Sequence, residues 1–402
     1  MTQSAERPRW LRRGLVIAGI VALAANLRGP ISGVGPVLDR LTADLSLSAV
    51  EVSLLTAAPV LCFGIFAVLT PRLTSRLGVD ATAALALLIL TLGLLLRSAG
   101  LVSTLFIGTV LVSAAIAVGN VLLPVLVKRD APRHPGLMTG AYTTTLTGSA
   151  AIGAAITVPL TSAYGWGIGL GVWVVTAAVA LALWAPRARG GGPHHPVEGA
   201  GASAGGMKTL LGVPLAWQVT TFFGLQSAIF YAMLAWLPSI YRAAGISASS
   251  AGLLLAVATL SGIPMALLIP SWAAHSKDQR YFPVVLSAVA ASGFLGLLIA
   301  PTAIPVLWAV LIGTGLGGNF PLVLTLIVLR TDNPDDTSSL STMAQGLGYL
   351  VAAAVGPFAV GVLHDLTGGW TWPVVALVAL AIPQSATGWA AGRARVIGDR
   401  QR

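Results

Sequence analysis

What most constrains this chain is the recurrence of long apolar runs. Twelve can be read along its 402 residues: 14–38, 49–70, 79–97, 102–127, 136–160, 166–185, 214–240, 247–272, 281–300, 303–329, 338–363 and 370–391. About 20 apolar residues are enough for an α-helix to cross the hydrocarbon core of a bilayer. Lipid offers no partner for backbone N–H and C=O groups, so each run must satisfy its own as a helix. The expected fold is therefore an all-α membrane protein of twelve transmembrane helices. Composition agrees, with 56% hydrophobic and only 9% charged residues, where soluble domains carry about 25% charged. The net charge of +10 sits in short loops between the runs. It speaks of topology, not of nucleic acid.

Orientation follows from where the cations lie. Arg28 is inside the first run, and Arg40, Arg97 and Arg242 fall on one side of the predicted membrane. Every other Lys and Arg falls on the opposite side, among them Arg7, Arg9, Arg12, Arg13, Arg72, Arg76, Lys128, Arg129, Arg187, Lys277, Arg280, Arg330, Arg393 and Arg395. Cytoplasmic loops carry this excess, so both termini are expected in the cytoplasm. The first run is too long for a signal-peptide core and reads as an uncleaved first helix. The longest polar stretch, rich in Gly, Pro, Ala and Ser, separates the sixth run from the seventh. It divides the chain into an N-terminal six-helix half (1–186), a cytoplasmic linker (187–213) and a C-terminal six-helix half (214–402). Arginine outnumbers lysine, and Ala and Gly abound, which suggests a GC-rich bacterial genome and hence the bacterial cytoplasmic (inner) membrane.

The halves repeat weakly. Gly119-Asn120 with Pro124 matches Gly318-Asn319 with Pro321, Met138 matches Met343, and Gly165-Trp166 matches Gly369-Trp370. Six plus six helices with parallel repeats is the layout of the major facilitator superfamily, whose substrate site lies near the midplane between the halves.

Against that layout Arg28 stands out. An arginine at membrane depth costs about 2.5 kcal/mol or more and usually faces a bundle interior or a cavity. Its planar fork of donors suits an anionic or electronegative substrate group. All 13 acidic residues lie in loops or at the ends of runs, leaving Glu51 as its one candidate partner. No carboxylate or histidine relay is evident at membrane depth, so any proton coupling would run through Glu51 or the substrate itself. Asn26 should point away from Arg28, and Ser32 should share its face. The second half has Ile229 or Phe230 where the repeat would place an arginine, so the site should be asymmetric.

Asn120, Tyr142, Gln226, Phe230, Asn319, Gln345 and Tyr349 are the candidates to complete a substrate site around Arg28. Gln218 and Tyr231 are further polar residues of the seventh run. Phe222, Phe223 and Trp236 could join Phe230 as a wall against a flat substrate. Interhelical hydrogen bonding or plain packing is the competing reading of each. Arg72 and Arg76, in Thr70-Pro71-Arg72-Leu73-Thr74-Ser75-Arg76-Leu77-Gly78, and Arg129 are candidate gating residues. For Arg129 simple topology signalling competes. Gly356-Pro357 should kink the eleventh run. The fifth lacks a matching Gly-Pro, which counts against drug export. Cys62, alone, excludes an internal disulfide and any cysteine-based metal site, and reads as a small buried hydrophobe. The five histidines lack metal-ligand spacing, and there is no phosphate-binding loop. No cofactor, metal or enzymatic activity is expected. The expected partners are a small-molecule substrate and the bilayer, with the protein a monomer.

Several segments together resemble the cyanate/2-nitroimidazole transporter family of that superfamily. They are Asn26-Leu27-Arg28 with Val34-Gly35-Pro36, Pro59-Val60-Leu61-Cys62-Phe63-Gly64, Gly119-Asn120-Val121-Leu122-Leu123-Pro124 with Lys128-Arg129-Asp130, Trp217-Gln218-Val219 with Phe222-Phe223-Gly224-Leu225-Gln226-Ser227, Ala235-Trp236-Leu237-Pro238 with Ile240-Tyr241-Arg242, and Gln345-Gly346-Leu347-Gly348-Tyr349. The resemblance implies alternating-access transport of a small polar or anionic molecule. Efflux of toxic compounds and a non-transporting membrane sensor are the alternatives.

Overall fold

The computed structural model describes residues 9–190 and 207–397. Most of the polar stretch between the sixth and seventh runs lies outside these residues. Every regular element among them is helical. Before that stretch come α1 (Arg9–Ala25), α2 (Gly29–Ser32), α3 (Leu38–Leu45), α4 (Ala49–Ala67), α5 (Thr70–Leu77), α6 (Val79–Arg97), α7 (Val102–Asp130), α8 (Pro135–Tyr164), α9 (Trp166–Gly171) and α10 (Trp173–Gly190). After it come α11 (Met207–Leu210), α12 (Pro214–Ala243), α13 (Ala248–His275), α14 (Tyr281–Ile299), α15 (Pro305–Leu329), α16 (Pro334–Ala353), α17 (Ala359–Thr367) and α18 (Thr371–Ala391). Eleven of the spans are long and apolar enough to cross a membrane, or twelve if the bent pair 58–67 and 70–77 counts as one. That bend, of 50°, separates α4 from α5 at the end of the second run, so that the segment following the run is itself helical.

Small residues set the packing. Gly313 of α15 lies so close to α13 that a Cβ there would stand 1.7 Å from the Ala258 carbonyl, and one at Gly317 would stand 2.3 Å from Gly262. Close backbone approach of this kind drives helix association where no hydrophobic gain is available in lipid. The two sets of helices meet in the same way. Cβ atoms at Gly136 and Gly140 of α8 would strike the Pro270 and Leu267 carbonyls of α13.

Hydrogen bonds between the sets gather at one end of the bundle. Lys128 Nζ donates to the carbonyls of Val328, at 3.2 Å, and Thr331. Thr143 donates to the Ala266 carbonyl (3.1 Å), and Ser341 to the Val121 carbonyl (3.1 Å). Gln345 Nε2 donates to the Asn120 carbonyl at 3.0 Å. Among the described residues these are the side-chain hydrogen bonds that join the two sets. All involve the ends of α7, α8, α13, α15 and α16 that lie toward Lys128 and Arg330.

Two helices break where the sequence says they must. Pro30 has no N–H, and its ring would clash with the carbonyl four residues earlier, at Asn26. The first run, expected as one helix over 14–38, accordingly stops at Ala25 and restarts at Gly29. Asn26 and Leu27 close short turns onto Leu23 and Ala24. Gly29 is required by contact, because a Cβ would lie 2.2 Å from the Trp173 ring. In the eleventh run the expected kink at Gly356-Pro357 is a wide turn over Ala354–Phe358, with Gly356 at φ −82° and ψ −108°. The freed Pro357 carbonyl accepts from Trp236 Nε1 at 2.8 Å.

Two charged residues differ from expectation. Arg97, counted among the cations on the side opposite the cytoplasm, is 1% exposed in the last turn of α6, with Nη2 3.4 Å from the Leu170 carbonyl. Glu51, the one candidate partner for Arg28, is spent on a helix start instead. Its carboxylate accepts from Ser48 N and Ser48 Oγ, both at 2.8 Å, while Ser48 Oγ accepts from Glu51 N. This is a capping box.

The glycine contacts give a direct test of the packing. Gly313→Ala should cost about 1–3 kcal/mol through overpacking and lower the thermal-unfolding midpoint in detergent. Gly148→Ala, where a Cβ meets nothing within 4 Å, should leave it unchanged. Equal midpoints would show that α13 and α15 do not cross at Gly313.

Candidate functional site

The break in the first run leaves Arg28 as the residue that caps the start of α2, with the non-helical φ −125° and ψ −37°. It lies about 18 Å along the axis from Val16 at 1.5 Å per residue, a little past the middle of the span Val16–Val37. Irregular backbone at this depth is tolerated where it is buried in protein or lines a cavity. The Arg28 carbonyl accepts from Ile31 N, Ser32 N and Ser32 Oγ. Ser32 therefore serves the backbone of the break; its hydroxyl is not aligned with the guanidinium. Asn26 faces the other way, as expected. It donates to the Ala22 and Thr176 carbonyls and accepts from Thr176 Oγ1 at 2.7 Å, fastening the first helix to α10.

The Arg28 side chain is half-buried and makes no ion pair among the described residues. Its neighbours are rings of the other half. The guanidinium carbon sits 4.7 Å from the centroid of Phe320 on α15 and 5.5 Å from that of Phe230 on α12. The rings continue into a chain. Phe230 meets Tyr231 edge-on at 5.6 Å, Tyr231 lies 6.3 Å from Tyr349 on α16, and Tyr349 meets Phe223 edge-on at 5.0 Å. Phe63 of α4 closes on Tyr349 at 5.3 Å, and Phe320 on Phe223 at 6.2 Å. Arg28 also acts electrostatically on the Tyr231 and Tyr349 hydroxyls. The result is one unneutralised cation from the first half, walled by aromatic faces of the second.

The other candidates divide. Phe230 and Tyr349 belong to this cluster. Tyr142 is fully buried in the same core, and its hydroxyl makes no well-formed hydrogen bond. Gln345 is a strut: Nε2 donates to the Asn120 carbonyl and to Ser341 Oγ at 2.9 Å. The Asn120 side chain is half-buried beside it. Asn319 and Gln226 are both completely buried. Asn319 turns into the second half, where its Nδ2 and Gln384 Nε2 both approach Ser287 Oγ, at 3.4 and 2.9 Å. Gln226 contacts its own neighbour, accepting from Ser227 Oγ at 3.2 Å.

The candidate gating arginines divide too. Arg129 holds Asp80 through both terminal nitrogens (2.8 and 2.9 Å) and Asp130 through Nε (2.7 Å). Arg187 joins the same carboxylates. Arg72 and Arg76 lie exposed on α5, outside this network.

Phe320 and Phe63 were not singled out in the sequence. Phe320 follows Asn319 directly, and adjacent helical residues point about 100° apart, so attention to the asparagine selected the wrong face. A groove of about 370 Å³ between α1, α8 and α10 has an uncharged lining that includes Ala25, Ile152 and Trp173. Arg28 and the ring cluster are not part of it. Among the described residues no group of histidine, cysteine or carboxylate side chains could hold a metal.

Residues 15–353 match the model of the Major Facilitator Superfamily. The chain is 36% identical to the 2-nitroimidazole transporter of Escherichia coli (strain K12) over 386 residues, covering 96% of this chain and 97% of that one. It is 31% identical to the cyanate transport protein CynX of the same organism over 369 residues, covering 90% and 94%. In fold it is similar to the proton:xylose symporter XylE, with a TM-score of 0.79 at 12% identity, covering 95% of this chain and 96% of that one. The all-helical architecture and these similarities together place the chain in the major facilitator superfamily, within the family of the cyanate and 2-nitroimidazole transporters.

Proposed function

We propose that this transporter moves a small, planar, anionic or electron-rich molecule of the cyanate, nitroimidazole or small organic anion kind. It does so by alternating access, with Arg28 as the anchor. The observation that carries the reading is the guanidinium of the first half, without an ion pair among the described residues, against Phe320 and Phe230 of the second half. A guanidinium offers paired donors to a planar acceptor group. The surrounding rings offer faces for a flat body. The substrates named for the two relatives are both small and polar, with electron-rich acceptor atoms.

The basic-residue bias assigns the Lys128–Arg330 end to the cytoplasm. The hydrogen bonds between the halves gather at that end. This supports an outward-facing arrangement, in which Arg28 is reached from outside and release to the cytoplasm requires the Lys128 and Thr143 contacts to part.

Two expectations follow from these contacts. In proteoliposomes, Arg28→Ala should weaken saturable uptake of labelled 2-nitroimidazole or cyanate by roughly 10–100-fold, the worth of a charge-assisted hydrogen-bond pair. Arg28→Lys, which keeps the charge and loses the fork, should fall between. Unchanged transport by Arg28→Ala would remove Arg28 as the anchor. Lys128→Gln removes two charge-assisted bonds and should weaken the closed end by about 1.5–3 kcal/mol. Spin labels at the exposed positions Leu137 and Trp272, on a Cys62→Ser background, should then report a longer mean distance between α8 and α13. An unaltered distance distribution would show that Lys128 does not hold this end shut.

A further inference from the structure

The two halves carry related charge clusters at the Lys128–Arg330 end, and the clusters balance differently. In the first half, Asp80 opens α6, Arg129 and Asp130 close α7, and Arg187 sits near the end of α10. Two arginines face two carboxylates, every charge is met, and Arg187 stacks on Trp184 at 4.5 Å. The second half repeats the plan. Asp278 precedes α14, and Arg393 follows α18 and stacks on Trp389 at 4.5 Å. After α15, however, the register that pairs Asn120 with Asn319 puts Leu329 where the first half has Asp130, and the next residue is Arg330.

Arg330 is 4% exposed and satisfied without an anion. It donates to the carbonyls of Ala391 (2.9 Å) and Gly392 (3.0 Å) and to Gln279 Oε1. The one carboxylate that lines the nearby cavity, Asp278, is engaged by Arg280 through Nε at 2.7 Å and through the backbone N–H at 3.0 Å. Among the described residues that leaves Lys277, Arg393 and Arg395 with no anionic partner, around this cavity of about 350 Å³, which Arg280 and Ala394 also line. Arg393 Nε is buried there without a hydrogen-bond acceptor.

The depth of the cavity narrows its occupant. Trp272 at the end of α13 and Tyr281 at the start of α14 are 52% and 70% exposed on either side of the same loop. Exposed Trp and Tyr at helix ends mark the membrane–water interface. Lipid phosphates lie at that level, and basic pockets at helix ends take anionic head groups.

We propose that this cavity binds the phosphate of an anionic membrane lipid, which supplies the negative charge that Asp130 supplies in the first half. The Arg393 and Arg395 forks take the phosphate oxygens, and Lys277 adds a point charge. A bound head group would tie the α13–α14 loop to the segment after α18, beside the Thr331 carbonyl that accepts from Lys128.

The test uses the full chain in neutral detergent and does not depend on Arg28. Thermal unfolding is followed while phosphatidylglycerol, phosphatidylcholine of the same acyl chains, or inorganic phosphate is added. The K277Q/R395Q variant changes two exposed side chains that make no hydrogen bond or ion pair among the described residues. Its midpoint without lipid should equal that of the parent. Phosphatidylglycerol should raise the parent midpoint saturably, with at least a tenfold higher half-saturating concentration for the variant. Phosphatidylcholine and millimolar inorganic phosphate should not raise it. Equal response of parent and variant, or of the two lipids, would overturn the site. Protection by inorganic phosphate equal to that by phosphatidylglycerol would overturn the lipid as its source.

Discussion

A guanidinium that no carboxylate of the described residues neutralises sits between two halves of a membrane protein, and much of the surrounding architecture accommodates it. Keeping Arg28 at this depth costs about 2.5 kcal/mol or more. Cation–π contact returns about 0.5–2 kcal/mol per ring, depending on desolvation, and Phe320 and Phe230 provide two. The contacts therefore make the charge tolerable without satisfying its hydrogen-bond donors. The helix break at Asn26–Arg28 belongs to the same solution. It turns Asn26 toward α10 and leaves Arg28 facing the rings of the other half. Because the rings come from α12 and α15, the environment of the cation depends on how the halves are docked.

The parts legible in the sequence were those governed by local chemistry. Apolar run lengths announced the helices. Gly356-Pro357 announced the wide turn in the eleventh run, whereas the first run, which reads as one helix over 14–38, breaks before Pro30. The opposition of Arg28 and Asn26 was legible as well, because residues two apart on a helix point to opposite sides. Face selection in the deeply buried helices was not. α15 is apolar nearly all round, and such a helix has no stripe that says which side meets the partner half. Asn319 was read toward the cavity and lies against Ser287; Phe320, next to it, meets Arg28. The burial of Arg97, which ends the third run, is likewise not written in its position. Asp80 drew no attention, since its partners Arg129 and Arg187 lie 49 and 107 residues away in sequence (129 − 80 and 187 − 80).

The repeat is informative where it fails. Asn120 and Asn319 share a sequence position, yet Asn319 joins Ser287 and Gln384 inside its own half, while the Asn120 carbonyl receives Gln345 from across the interface. One asparagine thus contributes to cohesion within a half and the other to contact between halves. Arg28 has Phe230 near its repeat position, and Phe230 is one of the rings over the guanidinium. Charge on one side and aromatic surface on the other is a pairing that two identical halves could not make.

That asymmetry bears on how such a transporter would move. In the proposed function the substrate's negative or electron-rich group meets Arg28 when both the cleft and the ion atmosphere are still accessible. Closing the outer end removes water from the guanidinium. With an anion bound, the two charges are desolvated as a pair whose attraction strengthens as the local dielectric falls. With the site empty, the same closure desolvates a lone cation, and only the ring faces are left to oppose that cost. Loaded and empty forms therefore differ in the energy of closure chiefly through one charge. The absence of intramembrane carboxylates, readable along the whole sequence, is what makes that difference large.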